Sequence, residues 1–285
     1  MALLRRILRI LILGIVSLYL AAMALLAFAY WEAAWRPPIV RRTDIALADW
    51  PKGAPPVTVL LVSDTHVAGP DMPPERLAHI VDRLNGLKPD LVLLAGDYIS
   101  QKHYATRYYT PGQAVAPLGR FRAPLGVVAV LGNHDHWANA SAFTDALAAR
   151  GITVLANSAT RRGPLVIGGM DDAFSYHAAP LATQRAMDAL GPGPRILLTH
   201  QPDVARRLGF KVDAVLAGHT HCGQFVVPFR GSLGRDDERF RWLPCGRVDL
   251  DGTPLIVTGG LGTSGVPLRF NAPPDVWLIR FEGKR

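Results

Sequence analysis

The chain has 285 residues, 49% of them hydrophobic, which is enough to bury a substantial core in one large domain. Its net charge of +8 is distributed unevenly along the chain. Residues 1–52 contain seven Lys and Arg and three acidic residues, and residues 53–285 contain 24 Lys and Arg and 20 acidic residues. Half of the excess charge therefore lies in the N-terminal segment, which excludes the clustered basic face of a nucleic-acid-binding protein. The two cysteines, Cys222 and Cys245, exclude a disulfide scaffold and leave one optional bridge open.

The N-terminal segment has the pattern of a membrane anchor. No charged residue occurs among the 22 residues from Ile10 to Trp31, and a helix of that length spans roughly the 30 Å core of a bilayer. Arginines flank one end, and Tyr30, Trp31 and Trp35 stand where an interfacial aromatic belt forms. We predict a transmembrane helix within residues 1–35.

A cleavable signal peptide is the alternative, since Ala27-Phe28-Ala29 has the form of a cleavage site. Orientation is also open. Three arginines before the span favour an external domain, whereas four basic residues soon after it nearly cancel that bias. We predict an external domain.

Residues 36–56 are rich in proline and polar residues, which predicts a linker into the domain. Beyond it, short apolar runs alternate with helical patterns, as in residues 73–87 and 141–149. The five strongest apolar runs are residues 57–63, 91–96, 126–132, 195–199 and 212–217. Continuous apolar strands separated by helices predict a largely parallel sheet that is covered on both faces.

The last part of the chain has a different pattern. The segments "RVDLDGTPLIVTGG" and "DVWLIRFE" are typical of hairpin strands, and Asp251-Gly252 marks a turn.

Each of the five apolar runs is followed by polar residues that can bind a metal. The motifs are Asp64-Thr65-His66, Gly96-Asp97, Gly132-Asn133-His134-Asp135, Thr199-His200 and His219-Thr220-His221. In an open α/β sheet, ligands gather outside the carboxyl ends of the strands, so we expect these side chains to converge. A lone Gly-Asp pair is usually a turn, but five such motifs at strand ends indicate a shared metal site.

The donor set indicates the metal class. Residues two apart in extended chain point to one side, so Asp64 with His66, and His219 with His221, can each face one cavity. Carboxylates, imidazoles and one amide suit one or two divalent transition metals such as Mn, Fe or Zn. A net positive site of this kind attracts phosphate.

These motifs resemble the calcineurin-like metallophosphoesterase superfamily, whose pattern runs D-x-H, G-D, G-N-H-D/E, H, G-H-x-H. The resemblance covers residues 57–283. It implies a four-layer α/β/β/α sandwich over residues 57–285, preceded by the transmembrane helix. "GHTHCGQ" and "GLGTSGVPLRFNAPPD" are similar to the membrane-anchored bacterial branch, which implies a single-pass protein of the bacterial inner membrane. Some members of that branch or its relatives act on UDP-2,3-diacylglucosamine, a lipid A precursor.

The resemblance also implies residue roles. One metal would be held by Asp64, His66 and His221, the other by Asn133, His200 and His219, with Asp97 bridging them. His134 would donate a hydrogen bond or proton to the leaving oxygen, and Asp135 would orient a neighbouring backbone or imidazole. Arg269 follows a glycine-rich turn, where binding a substrate phosphate and forming a structural ion pair are both open.

The implied function is metal-dependent hydrolysis of a phosphodiester or pyrophosphate near the membrane, with a UDP-2,3-diacylglucosamine type as the specific candidate. A broad-specificity enzyme for soluble substrates is the alternative, and a non-catalytic scaffold is a more remote one. Tyr98-Ile99-Ser100 follows Asp97 where protein phosphatases of this superfamily carry Asp-Arg-Gly, which argues against a phosphoprotein substrate. No nucleic-acid partner is expected, and the oligomeric state stays open.

Overall fold

The structure is a computed structural model that describes residues 2–233 and 245–284. Two six-stranded sheets lie at its centre. The helices are α1 (Ala2–Ala34), α2 (Pro74–Asn85), α3 (Pro111–Val115), α4 (Asn133–Ala148) and α5 (Pro180–Ala189), with 3-10 turns at Ala116–Arg120, Pro202–Arg206 and His221–Gly223. The strands are β1 (Ile39–Leu47), β2 (Val57–Val62), β3 (Leu91–Leu94), β4 (Val127–Ala129), β5 (Thr153–Val154), β6 (Ser158–Arg162), β7 (Leu165–Gly169), β8 (Arg195–Leu198), β9 (Ala214–Ala217), β10 (Val226–Val227), β11 (Gly231–Ser232), β12 (Gly246–Leu250), β13 (Thr253–Val257) and β14 (Asp275–Gly283).

The first sheet has the order β1-β14-β2-β3-β4-β5, and the second has the order β12-β13-β9-β8-β7-β6. β2 to β5 run parallel in the first sheet, and β7, β8, β9 and β13 run parallel in the second. All five strands predicted from apolar runs are present, so the parallel sheet expected from the sequence is confirmed as two parallel sets.

The strands alternate between two cores. In β2, Val59 and Leu61 belong to the core between the two sheets, whereas Leu60 and Val62 face the helices that cover the first sheet. The outer face of the second sheet packs with Met187 of α5 in a third core. Helix, sheet, sheet and helix therefore form four layers, as the family resemblance implied.

Helix α2 follows the predicted pattern. Its apolar positions at helical spacing, Leu77, Ile80, Val81 and Leu84, are the buried ones. Pro74 stands in the first turn, where its fixed φ and missing N–H cost nothing. Arg83 lies in the last turn, where a positive charge is favourable to the helix dipole.

The late strands confirm one prediction and correct another. β12 and β13 form an antiparallel hairpin across Asp251-Gly252, as predicted. β14 is not a hairpin strand, because it lies between β1, to which it is parallel, and β2, to which it is antiparallel. Its residues Val276 to Ile279 are buried, so the strand is interior to the sheet.

The prediction that residues 36–56 form a linker is wrong for Ile39–Leu47. This stretch is the edge strand β1, paired along its length with β14. Ile45 and Leu47 are buried in the core between the sheets. Arg41 Nε donates to the buried Asp275 Oδ2 at 2.5 Å. The pairing partner lies more than two hundred residues away in sequence, so local composition contains no signal for it.

Helix α1 is long and apolar enough to cross a membrane from Leu3 to Ala34. Its last turns pack on the domain: Ala29 and Ala33 are buried, whereas the side chains of residues 3–28 are exposed. The backbone N–H of Arg269 donates to Ala29 O at 3.0 Å, and Arg76 Nη1 donates to Ala33 O at 2.5 Å. The domain thus supplies donors to carbonyl groups at the C-terminal end of α1.

We expect Arg41→Met to lower the free energy of unfolding by about 1–3 kcal/mol, since the buried carboxylate of Asp275 would lose its cation. The measurement is denaturant unfolding of the full chain in detergent micelles, followed by tryptophan fluorescence. Arg42→Met on the same strand is the matched control, because Arg42 is exposed and should change stability by less than about 0.5 kcal/mol. Two variants that both unfold like the unaltered chain would contradict this account of β1.

Candidate metal centre

The carboxyl ends of five parallel strands meet at one edge of the stacked sheets. β2, β3 and β4 approach from the first sheet, and β8 and β9 approach from the second. The turn after each strand carries one of the five motifs found in the sequence. Backbone hydrogen bonds connect these turns: Asp64 N donates to Gly96 O at 2.9 Å, and Gly218 N donates to His200 O at 3.0 Å.

Five of the polar residues at this edge have left-handed backbone conformations. Their φ angles are 51° for Asp64, 41° for His66, 56° for Asp97, 71° for His219 and 51° for His221. Such conformations cost about 1–3 kcal/mol each for residues other than glycine, and they cluster at functional sites. They turn the chain sharply out of the strand, so that the side chains face the shared cavity.

Gly132 is required by crowding around Asp97. A Cβ atom at Gly132 would lie 2.7 Å from the backbone nitrogen of Asp97 and would also overlap the Asp97 carboxylate. The turn after β4 can therefore approach the turn after β3 only with glycine at this position.

Asp64, His66 and His221 form the first group of potential ligands. His66 Nε2 and His221 Nε2 are 3.0 Å apart, and each faces Asp64 Oδ1, at 3.7 and 3.4 Å respectively. His66 Nδ1 lies 3.1 Å from Ile99 O, which favours a proton on Nδ1 and leaves the Nε2 lone pair facing the centre of the group.

Asp97, His200 and His219 form the second group. His200 Nε2 lies 3.2 Å from Asp97 Oδ2 and 2.9 Å from His219 Nδ1. Its Nδ1 is 2.7 Å from Ala95 O, so Nε2 is again the free nitrogen. Asp97 Oδ2 is also 3.4 Å from His66 Nε2. One carboxylate oxygen therefore lies between the two groups.

The second oxygen of each carboxylate is used for structure. Asp64 Oδ2 accepts from the backbone N–H of His219 at 2.9 Å, and Asp97 Oδ1 accepts from that of His134 at 2.9 Å. Each acid is thereby fixed in orientation, with its remaining oxygen directed at the imidazoles.

Two buried oxygen atoms test whether this arrangement fits metal ions. Within the described chain, Asp64 Oδ1 and Asn133 Oδ1 are buried and have no hydrogen-bond partner. An unsatisfied buried acceptor is costly, and it is explained when the atom is a ligand. Together with the converging ring nitrogens, these oxygens form a donor set that fits divalent transition metals.

The protonation states also suit metal binding. Burial raises the pKa of the Asp64 carboxyl, but the imidazoles of His221 and His66 outweigh burial and hold the pKa below its ordinary value. The pKa of Asp97 is lowered in the same way, by His200 against the effect of burial. Burial lowers the pKa of His219 to about 3 and holds that of His221 well below its ordinary value. Anionic acids and neutral imidazoles are the forms that bind metals.

His200 differs from the other imidazoles. Burial alone would lower its pKa, but the adjacent Asp97 and the nearby Asp64 raise it to about 10. The carboxylates that raise this pKa also attract a metal ion, so an ion binding at His200 would displace a proton.

Asp135 supports the turns rather than facing the cavity. Its carboxylate accepts from the backbone N–H groups of Gly132 and Asp97, both at 2.9 Å, and of Tyr98 at 2.8 Å. Burial and the charge of Asp97 raise the pKa of Asp135 to about 7, while the backbone hydrogen bonds oppose that rise. Asp135 thus connects the turn after β3 to the start of α4.

His134 lies beside both ligand groups. Its ring packs against that of His66 with centroids 4.8 Å apart, and burial lowers its pKa to about 4. Its Nδ1 forms a short hydrogen bond with Gln101 Oε1, and Gln101 Nε2 donates to His134 O at 3.2 Å. Nothing in the sequence singles out Gln101, because it lies inside the long loop of residues 98–112.

The structure argues against the substrate-binding prediction for Arg269. Its guanidinium is fully buried and donates to the carbonyl groups of Gly259, Gly262 and Ala272, at 2.8, 2.6 and 2.8 Å. Its Nη2 also lies 3.3 Å from His221 Nδ1. Since the guanidinium is enclosed by these groups, it holds the glycine-rich loop and His221 in place instead of facing a substrate.

Cys222 and Cys245, whose pairing the sequence left open, form a disulfide with their Cα atoms 4.8 Å apart. Cys222 follows His221 directly, so the bridge connects the turn that carries a potential metal ligand to the start of β12.

Taken together, stacked α/β layers with two adjoining imidazole and carboxylate groups at one sheet edge define a metal-dependent hydrolase with a site suited to two ions. Residues 57–223 match the model of the calcineurin-like phosphoesterase family. The chain belongs to this family, whose members are metallophosphoesterases that use divalent metals.

Several relatives share most of the chain. An uncharacterized metallophosphoesterase of Aquifex aeolicus is 31% identical over 255 residues, covering 86% of this chain and 92% of the relative. The Bacillus subtilis metallophosphoesterase YkuE is 32% identical over 244 residues, covering 80% of each. A Danio rerio transmembrane protein with a metallophosphoesterase domain is 28% identical over 269 residues, covering 86% of this chain and 57% of the relative.

Among solved structures, a 5'-nucleotidase precursor from Thermus thermophilus is similar, with a TM-score of 0.44 and 16% identity. The similarity covers 73% of this chain and 49% of that one.

We expect the purified full chain to bind about two Mn²⁺ ions, and His219→Ala to bind about one, because a ligand of only one group is lost. The measurement is equilibrium dialysis against Mn²⁺ with metal analysis. His79→Ala is the matched control, since His79 is exposed on α2, and it should leave the stoichiometry unchanged. If His219→Ala bound as many Mn²⁺ ions as the unaltered chain, the assignment of His219 to a ligand group would be wrong.

Proposed function

We propose that this metallophosphoesterase hydrolyses phosphodiester or pyrophosphate bonds next to a membrane. The observation that carries the proposal is the position of Asp97 Oδ2, which lies 3.4 Å from His66 of one ligand group and 3.2 Å from His200 of the other. A shared carboxylate of this kind fits two ions at the short separation used for in-line displacement at phosphorus.

The proposed ligands follow the two groups, except that Asn133 is added to the second and Asp97 is shared by both. Asp64, His66 and His221 would hold one ion, and Asn133, His200 and His219 would hold the other. Asp97 would contact both. When bound, the ions lower the pKa of water toward neutrality and stabilise the charge on the phosphate oxygens. Mn, Fe and Zn all suit this donor set.

The protein groups around the ions position the reaction. His134 is the proposed catalytic residue: its ring lies beside both ligand groups, where it can donate a hydrogen bond or a proton to the leaving oxygen. The negative charge of a bound substrate opposes the effect of burial on the His134 pKa and favours the protonated ring. Gln101 and the Asp97 carboxylate hold His134 from two sides.

The connection to α1 supports a site near the membrane. The Arg269 backbone donates to Ala29 O in the last turns of the apolar helix, while the Arg269 side chain contacts the potential metal ligand His221. A single residue therefore separates the helix from the ligand group. This proximity favours a substrate that is itself attached to the membrane, namely a lipid-linked phosphoester.

We further propose a single-pass protein of the bacterial inner membrane with the domain on the external side. The Cys222–Cys245 disulfide supports this side, because such bridges persist in oxidising compartments. A UDP-2,3-diacylglucosamine type of precursor requires the cytoplasmic side instead. Protease accessibility on intact and opened cells decides between that precursor and an external lipid-linked phosphoester.

We expect Asp97→Asn and His219→Ala each to lower the hydrolysis of bis(p-nitrophenyl) phosphate about a hundredfold or more in the presence of Mn²⁺, because both residues belong to the ligand groups. The measurement is the release of p-nitrophenolate, with circular dichroism to check folding. Asp82→Asn is a matched control for the lost carboxylate, since Asp82 lies on the surface of α2 in an exposed ion pair with Arg120. Activity that survives in either site variant would overturn the proposal.

A further inference from the structure

Two aromatic side chains border the metal centre on the side of the second ligand group. The Trp137 ring contacts that of His134, with centroids 4.9 Å apart, and the Phe174 ring contacts that of His219 at 5.7 Å. Trp137 and Phe174 also contact each other at 5.8 Å, with their planes inclined at 68°. They form a continuous surface beside the catalytic and ligand imidazoles, which we call the aromatic wall.

The aromatic wall is not part of a core. Trp137 is 56% exposed, and Phe174 is half-buried. Neither residue belongs to the three core clusters of the described chain. Trp137 follows the metal-site residues at the start of α4, and its ring contacts His134 and Phe174 while staying largely exposed.

A cavity of about 280 Å³ opens behind Phe174. Phe174, whose ring also contacts His219, lines it. Gln201, which directly follows the potential ligand His200, lines it as well. Through Phe174, the cavity lies next to the second ligand group. Phe174 thus belongs both to the aromatic wall and to the cavity lining.

The cavity lining combines apolar and polar groups. Met170 and Leu208 supply apolar surface, whereas Gln201, Asp203 and Arg207 supply hydrogen-bond donors and acceptors. Small-molecule sites have this composition, in which an apolar wall provides contact area and a few polar groups fix orientation.

We propose that the aromatic wall and this cavity form a subsite for a planar aromatic group joined to the scissile phosphate, of which a nucleobase is the representative. A nucleobase offers a flat face for stacking on the wall and polar edges for the amide, carboxylate and guanidinium groups of the cavity. The inference rests on the proposed phosphoesterase function and adds a substrate class to it.

A long acyl chain fits the subsite less well. At about 280 Å³ the cavity is slightly smaller than the range usual for drug-sized ligands, about 300–1,000 Å³. An acyl chain would also offer no hydrogen-bonding groups to the polar part of the lining. The observations therefore favour a compact ring with polar edges.

The test compares two diesters that share a leaving group. Thymidine 5'-(p-nitrophenyl) phosphate carries a nucleoside where methyl p-nitrophenyl phosphate carries a methyl group. The ratio of the kcat/KM values for the two esters therefore measures the contribution of the nucleoside. We expect the full chain with Mn²⁺ to prefer the thymidine ester. Phe174→Leu and Trp137→Leu keep apolar bulk but remove the aromatic face, and each should lower kcat/KM for the thymidine ester about tenfold more than for the methyl ester.

Trp35→Leu is the matched control, because it removes an exposed indole beyond α1, and it should leave the preference unchanged. The subsite is overturned if the unaltered chain shows no preference, or if the Phe174 and Trp137 variants lose activity on both esters equally. Preference for decyl p-nitrophenyl phosphate over the thymidine ester would also overturn it, in favour of an acyl chain. Hydrolysis of none of these esters would instead overturn the proposed function.

Discussion

The arrangement of the metal centre depends on the carboxylate of Asp97. One oxygen holds the start of α4 through the backbone N–H of His134, and the other lies between His66 of the first sheet and His200 of the second. Its backbone N–H donates to Asp135, and its carbonyl accepts from His66 N. Because a single residue joins two sheets, a helix and both ligand groups, a shift of its turn would displace most of the site.

The position of Asp97 depends on the packing of the strands and turns around it. Asp97 and four neighbours adopt left-handed backbone conformations, which are costly for residues with side chains. The three packed cores and the backbone hydrogen bonds between the turns offset that cost. The strain is therefore located where the chain leaves the strands, and the strands themselves remain regular. This division explains why the polar residues converge without disturbing the apolar layers beneath them.

The contact between the apolar helix α1 and the loops of the metal centre also constrains the structure. Arg269 is buried in carbonyl groups, bonds to the helix through its backbone and contacts His221 through its side chain. A buried guanidinium needs many acceptors, and the glycine-rich loop supplies them because its carbonyls are not used in a sheet. The helix therefore joins the domain beside the first ligand group, while the aromatic wall lies beside the second.

The sequence by itself determined the parallel strands, helix α2, the apolar N-terminal helix and the motif residues. The spacing of apolar residues and the polar residues that follow each strand can both be recognised within a short stretch of chain. Only the tertiary structure decided β1, the interior position of β14, the burial of Arg269 and the contact of Gln101 with His134. Each of these depends on partners distant in sequence: β1 pairs with a strand more than two hundred residues away, and Arg269 is enclosed by carbonyls that folding brings around it. Local composition cannot contain such information, because long-range pairing is decided only when the sheets pack.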